Sequence, residues 1–146
     1  MATGGIAVKL ANVSALIVAL LALAPATSQP DEQLTDALNN VQHDMSTCIA
    51  YQMLVQECVQ KQDPELGVEY ATLTEHLIRF AVEIGSTIGM TEDAMTSRIT
   101  NEQGQMRALI QNNCVNISSL SSRHALRCKQ LVEDSDSVLR EYLSRD

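Results

Sequence analysis

Four cysteines fall into an upstream pair, Cys48 and Cys58 in "CIAYQMLVQEC", and a downstream pair, Cys114 and Cys128 in "CVNISSLSSRHALRC". The upstream pair sits in a periodic run: Leu34, Leu38, Val41, Met45, Cys48, Gln52, Val55 and Val59 step by threes and fours, the spacing of one helix face. Ten helical residues separate their Cα atoms by roughly 15 Å along the axis. A disulfide needs Cα atoms within about 7 Å. Cys48 therefore cannot bond Cys58 while that helix exists. If both bridges form within the chain, Cys114 cannot bond Cys128 either. Both bridges must tie the first helix to the C-terminal part of the chain.

Oxidation requires an oxidising compartment, and the N-terminus points to one. Lys9 precedes ten consecutive apolar residues, Ala15 to Ala24, and the small-residue neighbourhood "APATSQP" follows. This is the pattern of a secretory leader over residues 1–28, with cleavage expected after Ala26 or Ser28. The apolar run is too short for a span, which needs about twenty residues. The remainder, residues 29–146, is the length of one domain. It carries nine Lys and Arg against eighteen Asp and Glu. An acidic chain with a single Phe and no Trp is a poor fit to nucleic acid or to an anionic membrane. The expected localisation is secreted or periplasmic, with no membrane attachment after cleavage.

The hydrophobic period predicts an all-α chain of four helices. The first ends near Gln62, where Asp63 and Pro64 supply a cap and a first-turn proline for the second. The second stripe is Leu66, Tyr70, Leu73, Leu77, Phe80 and Ile84, with Gly85 and Gly89 as its stop signals. Thr91, followed by Glu92 and Asp93, opens the third. Its stripe of Met95, Ile99, Met106, Leu109 and Ile110 is interrupted by Glu102 and Gly104, which predicts a bend or break near "NEQGQ". The fourth starts in the serine cluster after Cys114, on a stripe of His124, Cys128, Leu131, Val138 and Tyr142. Short connections favour an antiparallel, up-down-up-down four-helix bundle.

That bundle chooses the cysteine partners. The ends of the first and third helices share one end of it, so Cys58 and Cys114 lie together. Ten residues back along the first helix is Cys48, and about ten residues into the fourth is Cys128. The expected bridges are Cys58–Cys114 and Cys48–Cys128. The swapped set would be out of level by roughly 15 Å.

The same levels place His124 opposite Gln52, the polar misfit of the first stripe, as a mutually hydrogen-bonded buried pair. The alternative makes them a ligand site. Met106 falls near that level, and Met with His can ligate haem in a bundle core. Met45, Met53 and Met95 add soft donors that suit copper. His124, Gln52 and Met106 are accordingly the candidate ligand residues, although plain packing is the expected role of each, with no cofactor and no metal. His43 is expected in solvent, and His76 lies beside Glu75. Arg123, Arg127 and Lys129 are expected to answer the acids of the second helix, Glu65, Glu69, Glu75 and Glu83.

No G-x-S-x-G, H-E-x-x-H, phosphate loop, dinucleotide fingerprint or C-x-x-C occurs, so no catalytic residue is assigned. Asn116-Ile117-Ser118 is a glycosylation sequon only in a eukaryotic secretory pathway. The expected function is an exported, disulfide-stabilised helical module that binds an unknown protein or small ligand without catalysis. The irregular third helix is its expected recognition face. The alternative is a haem- or copper-binding bundle using His124 and Met106.

Overall fold

The computed structural model describes residues 30–145. The expected leader and its cleavage sites lie outside the described residues. The chain forms α1 (Pro30–Val59), α2 (Pro64–Thr87), α3 (Glu92–Leu109), a 3-10 turn (Cys114–Asn116), α4 (Ser118–Glu133) and α5 (Ser135–Leu143). No strand occurs among the described residues. None of these helices is long and apolar enough to cross a membrane.

The four-helix expectation is corrected to five helices, and the physical reason is Asp134. Its backbone leaves the helical region (φ −154°, ψ 68°), and its side chain accepts a hydrogen bond from the Ser137 amide at 3.0 Å. An aspartate capping a new helix ends the old one. The gap in the fourth stripe between Leu131 and Val138 marks this break. The third helix has no break at the expected point, because α3 is continuous through Glu102 and Gly104. Thr91 caps its first turn by accepting from the Ala94 amide at 3.2 Å, and Glu92 and Asp93 complement the helix dipole there.

α1 is the axis of the molecule and packs against all four other helices, most extensively against α2. Cys48 through Gln52 are five consecutive buried residues. A helix with only one apolar stripe cannot show such a run, whereas one surrounded by partners does. The core gathers Val41, Met45, Ile49 and Leu54 of α1 with Leu77 of α2, Met106 of α3, Leu120 and Leu131 of α4, and Val138 of α5.

Close backbone approaches set the spacing of α2. A Cβ on Gly67 would meet the Gln60 Cβ at 2.8 Å, so the α1–α2 corner closes over a bare backbone. Gly85 is not a helix stop but a buried position within α2, where a Cβ would meet the Met95 sulfur at 2.3 Å. Gly89, at φ 73°, is the residue that ends α2, with the Met90 amide bonded back to the Gly85 carbonyl at 2.8 Å.

The disulfides join Cys48 to Cys128 (Cα–Cα 5.3 Å) and Cys58 to Cys114 (Cα–Cα 5.4 Å). The first is sealed in the core; in the second, Cys114 lies exposed at the bundle end. In the chain-entropy view, each long closed loop contributes about 4 kcal/mol before any discount for nesting.

Candidate functional site

Where α1, α2 and α4 meet, their side chains leave a cleft of about 310 Å³. α1 supplies Tyr51 and Gln52, α2 supplies Tyr70 and Leu73, and α4 supplies Ala125, Cys128, Lys129, Val132 and Glu133. The Cys48–Cys128 bridge ties the α1 and α4 walls together, so the cleft is built on a covalently fixed frame. At its mouth Lys129 and Glu133 stand one turn apart, with 3.8 Å between nitrogen and oxygen, and both are mostly exposed.

The interior is apolar apart from a few neutral groups. Tyr51 is buried and donates its hydroxyl hydrogen to the Ser121 Oγ at 3.2 Å. Tyr70 is half-buried; burial first, then the neighbouring Tyr51 and Glu69, raise its pKa, so its hydroxyl keeps its proton. Gln52 is only 5% exposed, and its recorded partner is the Thr74 hydroxyl, at 3.4 Å from its Oε1. That contact is weak, because the single Thr74 hydrogen also reaches the Tyr70 carbonyl at 2.7 Å.

The residues expected to pair with one another are therefore separated. Gln52 bonds toward α2 rather than toward His124, which corrects the expected buried pair. His124 is half-buried, its ring 5.9 Å from that of Tyr51. Burial first, and then the Arg123 charge, lower its pKa, with Glu102 opposing. Met106 is 2% exposed and belongs to the hydrophobic core. Of the other soft donors, Met45 and Met95 are buried and Met53 is partly exposed. Among the described residues no group of three or more His, Cys, Asp and Glu side chains could hold a metal ion. His43 is exposed, and His76 packs edge-on to Phe80 with ring centroids 5.2 Å apart.

The basic cluster of α4 also has different partners from those expected. Arg127 donates from Nε to Asp44 Oδ2 at 2.8 Å and from Nη1 to Glu141 Oε2 at 2.6 Å. Tyr142 donates its hydroxyl to the same Asp44 oxygen at 2.8 Å. Burial opposes the Arg127 charge, but the hydrogen bonds to Glu141, Tyr142 and Asp44 outweigh it and raise the pKa. Arg145 bonds Glu141 and lies over the Tyr142 ring, 4.6 Å from its centroid. This network clasps α5 onto α1 and α4. Lys129 pairs within its own helix, with Glu133. The acids of α2 answer none of these recorded ion pairs.

α3, the expected recognition face, is fastened to α1 by charged side chains. Arg98 bonds the Gln42 and Asn39 side-chain oxygens, and Arg107 holds both carboxylate oxygens of Glu57 at 3.2 and 2.5 Å. The hydrogen bond to Arg107 lowers the Glu57 pKa, against a smaller effect of burial. The open face of α3 between Thr96 and Ala108 is a shallow surface of small polar side chains from that one helix.

Asn116, the sequon residue, uses its side-chain nitrogen to donate to the Ile110 carbonyl at 3.1 Å, closing the α3 C-terminus. Sequence reasoning placed Tyr70 and Leu73 in a core stripe and left Tyr51 off its stripe. The cue that Tyr51 faces protein was its place in the all-round apolar run of α1. Comparison of the chain with family models, with curated proteins and with solved structures gave no match.

Proposed function

We propose that this protein is an exported, disulfide-stapled helical module that binds a small ligand in the α1–α2–α4 cleft and performs no chemistry of its own. One observation carries the reading: a concave, mainly apolar site with a few neutral polar groups, framed by three helices and a buried disulfide. Sites for small molecules have this composition, and their volumes begin at roughly 300 Å³. The leader-like N-terminus and the paired cysteines support action outside the cytoplasm, where both bridges persist.

The test is a ligand-observed NMR screen of small organic fragments against the oxidised protein and against Ala125→Phe. Ala125 is an exposed residue on the cleft wall, so a phenyl ring there occupies the cleft without entering the core. The expected result is a set of binders whose signals vanish with the plugged variant. Binders that ignore the plug, or a screen with no binders, would overturn the proposal.

A further inference from the structure

The chemistry of the cleft narrows what it accepts. Gln52 brings a primary amide to a position 95% removed from solvent, since only 5% of the residue is exposed. Among the described residues its side-chain nitrogen has no hydrogen-bond partner, and its oxygen has only a share of the Thr74 hydrogen. That nitrogen is also not sealed away from accessible space, unlike the enclosed Gln42 nitrogen of α1. An amide that the protein leaves short of partners takes them from whatever occupies its open side, water or ligand. Here the open side is the cleft itself, which Gln52 lines. Tyr70, on the facing helix, adds a protonated hydroxyl with no recorded partner among the described residues.

We infer that the cleft takes a small, uncharged, mainly apolar molecule bearing a single hydroxyl or amide that inserts between Gln52 and Tyr70. This rests on the proposed ligand-binding reading and goes beyond it by naming the ligand class. An amide and a phenol each donate and accept, and a ligand hydroxyl or amide does the same, so the match holds in either orientation of the Gln52 amide. The two ionised side chains of the lining, Lys129 and Glu133, face each other across 3.8 Å and leave no net charge to answer a carboxylate or an ammonium. Lys129 and Glu133 at the mouth are exposed and of opposite sign, so they select neither. Leu73, Val132 and the Tyr51 ring pack the apolar body of the ligand.

Five probes sharing one phenyl ring separate the possibilities: benzyl alcohol, benzamide, toluene, benzoate and benzylammonium. Dissociation constants are read by NMR titration, following the backbone amide resonances of Leu73 and Val132 on the cleft walls in every variant. Benzyl alcohol and benzamide are expected to bind about fivefold more tightly than toluene, as for the net gain of one hydrogen bond that replaces a bond to water. Both charged probes are expected to bind more weakly than either. Gln52→Met, of similar size and without the amide, should bring the alcohol and the amide to the level of toluene and leave toluene unchanged. Tyr70→Phe, at a less buried position, should reduce the same preference in a chain whose core is untouched. Toluene binding as tightly as the alcohol overturns the inference, as does benzoate binding most tightly or a Gln52→Met loss equal for all five. In those cases, abolition of binding by Ala125→Phe leaves the ligand-site reading standing. Binding of every probe undisturbed by Ala125→Phe, or no binding at all, removes both.

Discussion

Two glycines inside helices should respond to the same substitution with opposite signs. Gly67 lies in α2 under the α1–α2 corner; Gly104 lies in the middle of α3 with nothing within 4 Å of where its Cβ would stand. Alanine in a helix interior gains about 1 kcal/mol over glycine from backbone entropy. At Gly104 nothing opposes this gain, so Gly104→Ala should stabilise by about that amount. At Gly67 the new methyl would stand 2.8 Å from the Gln60 Cβ and 3.0 Å from its Cα, atoms just past α1 that the Gln60 amide bond to the Gln56 carbonyl holds in place. Carbon atoms normally approach to about 3.5–4.0 Å. Forced overpacking of this kind costs about 1–3 kcal/mol. The net expectation for Gly67→Ala is a loss of about 1 kcal/mol. With a urea slope on the order of 2 kcal/mol per molar, the two midpoints should move about half a molar in opposite directions. Urea unfolding of the oxidised protein, followed by circular dichroism, measures both. Equal upward shifts would show that helix propensity alone governs both sites and that the corner has room for a methyl.

Three further outcomes are expected. Arg127→Met should weaken the α5 clasp by about 1 kcal/mol, a value kept small by partial solvent exposure, and speed amide exchange at Val138 to Leu143 while sparing α2; uniform exchange across the chain would count against a local clasp. His124 has a lowered pKa in the fold, so below about pH 6.5 the unfolded chain takes up a proton the folded chain refuses, and stability falls until folded His124 also protonates. His124→Gln should flatten that part of the curve and leave the loss at more acid pH, where Glu57 and Glu141, both held below the usual 4.5 chiefly by hydrogen bonds to Arg107 and Arg127, take up protons; an unchanged curve would exclude His124 as its source. Finally, a mild reductant should open Cys58–Cys114 before Cys48–Cys128, because Cys48 and Cys128 are 1% and 3% exposed whereas Cys114 is exposed, and alkylation with mass mapping reads the order.

Cysteine geometry was accessible to sequence because a helix converts residue number into distance: ten positions from Cys48 to Cys58 leave few partners within bonding reach. The caps at Asp63 and Thr91 were equally legible, since each is a local event between neighbouring residues. What escaped depended on how many helices surround a given one. The Cys48–Gln52 stretch reads as part of one stripe until all its neighbours are seen to be buried, and only then is α1 an axis rather than a wall. The direction of Gln52 escaped for the same reason: in a wall it would face α4 and His124, but on an axis it can turn to Thr74 of α2. Asp134 was hidden by the strong apolar signals on either side of it, although the seven-residue gap in the stripe was visible. The cleft itself is a shape left between three helices, and no periodicity encodes that.

The nested bridges also determine what a protease can remove. Every peptide bond between Cys48 and Cys128 lies inside at least one covalent ring, so a single cut there leaves one molecule held together by sulfur. A nick in the α2–α3 connection, or in the turn after α3, would add termini without releasing a fragment. Only the ends beyond the outer bridge can be shed by one cut: α1 before Cys48, and the last turn of α4 together with α5. Of these, α5 is held by the packing of Val138, the Gln33 bond to the Leu143 carbonyl at 3.1 Å and the Asp44 clasp. A single cut by a protease can therefore trim only these two tails, while α1 from Cys48 onward, α2, α3 and α4 as far as Cys128 stay one covalent body.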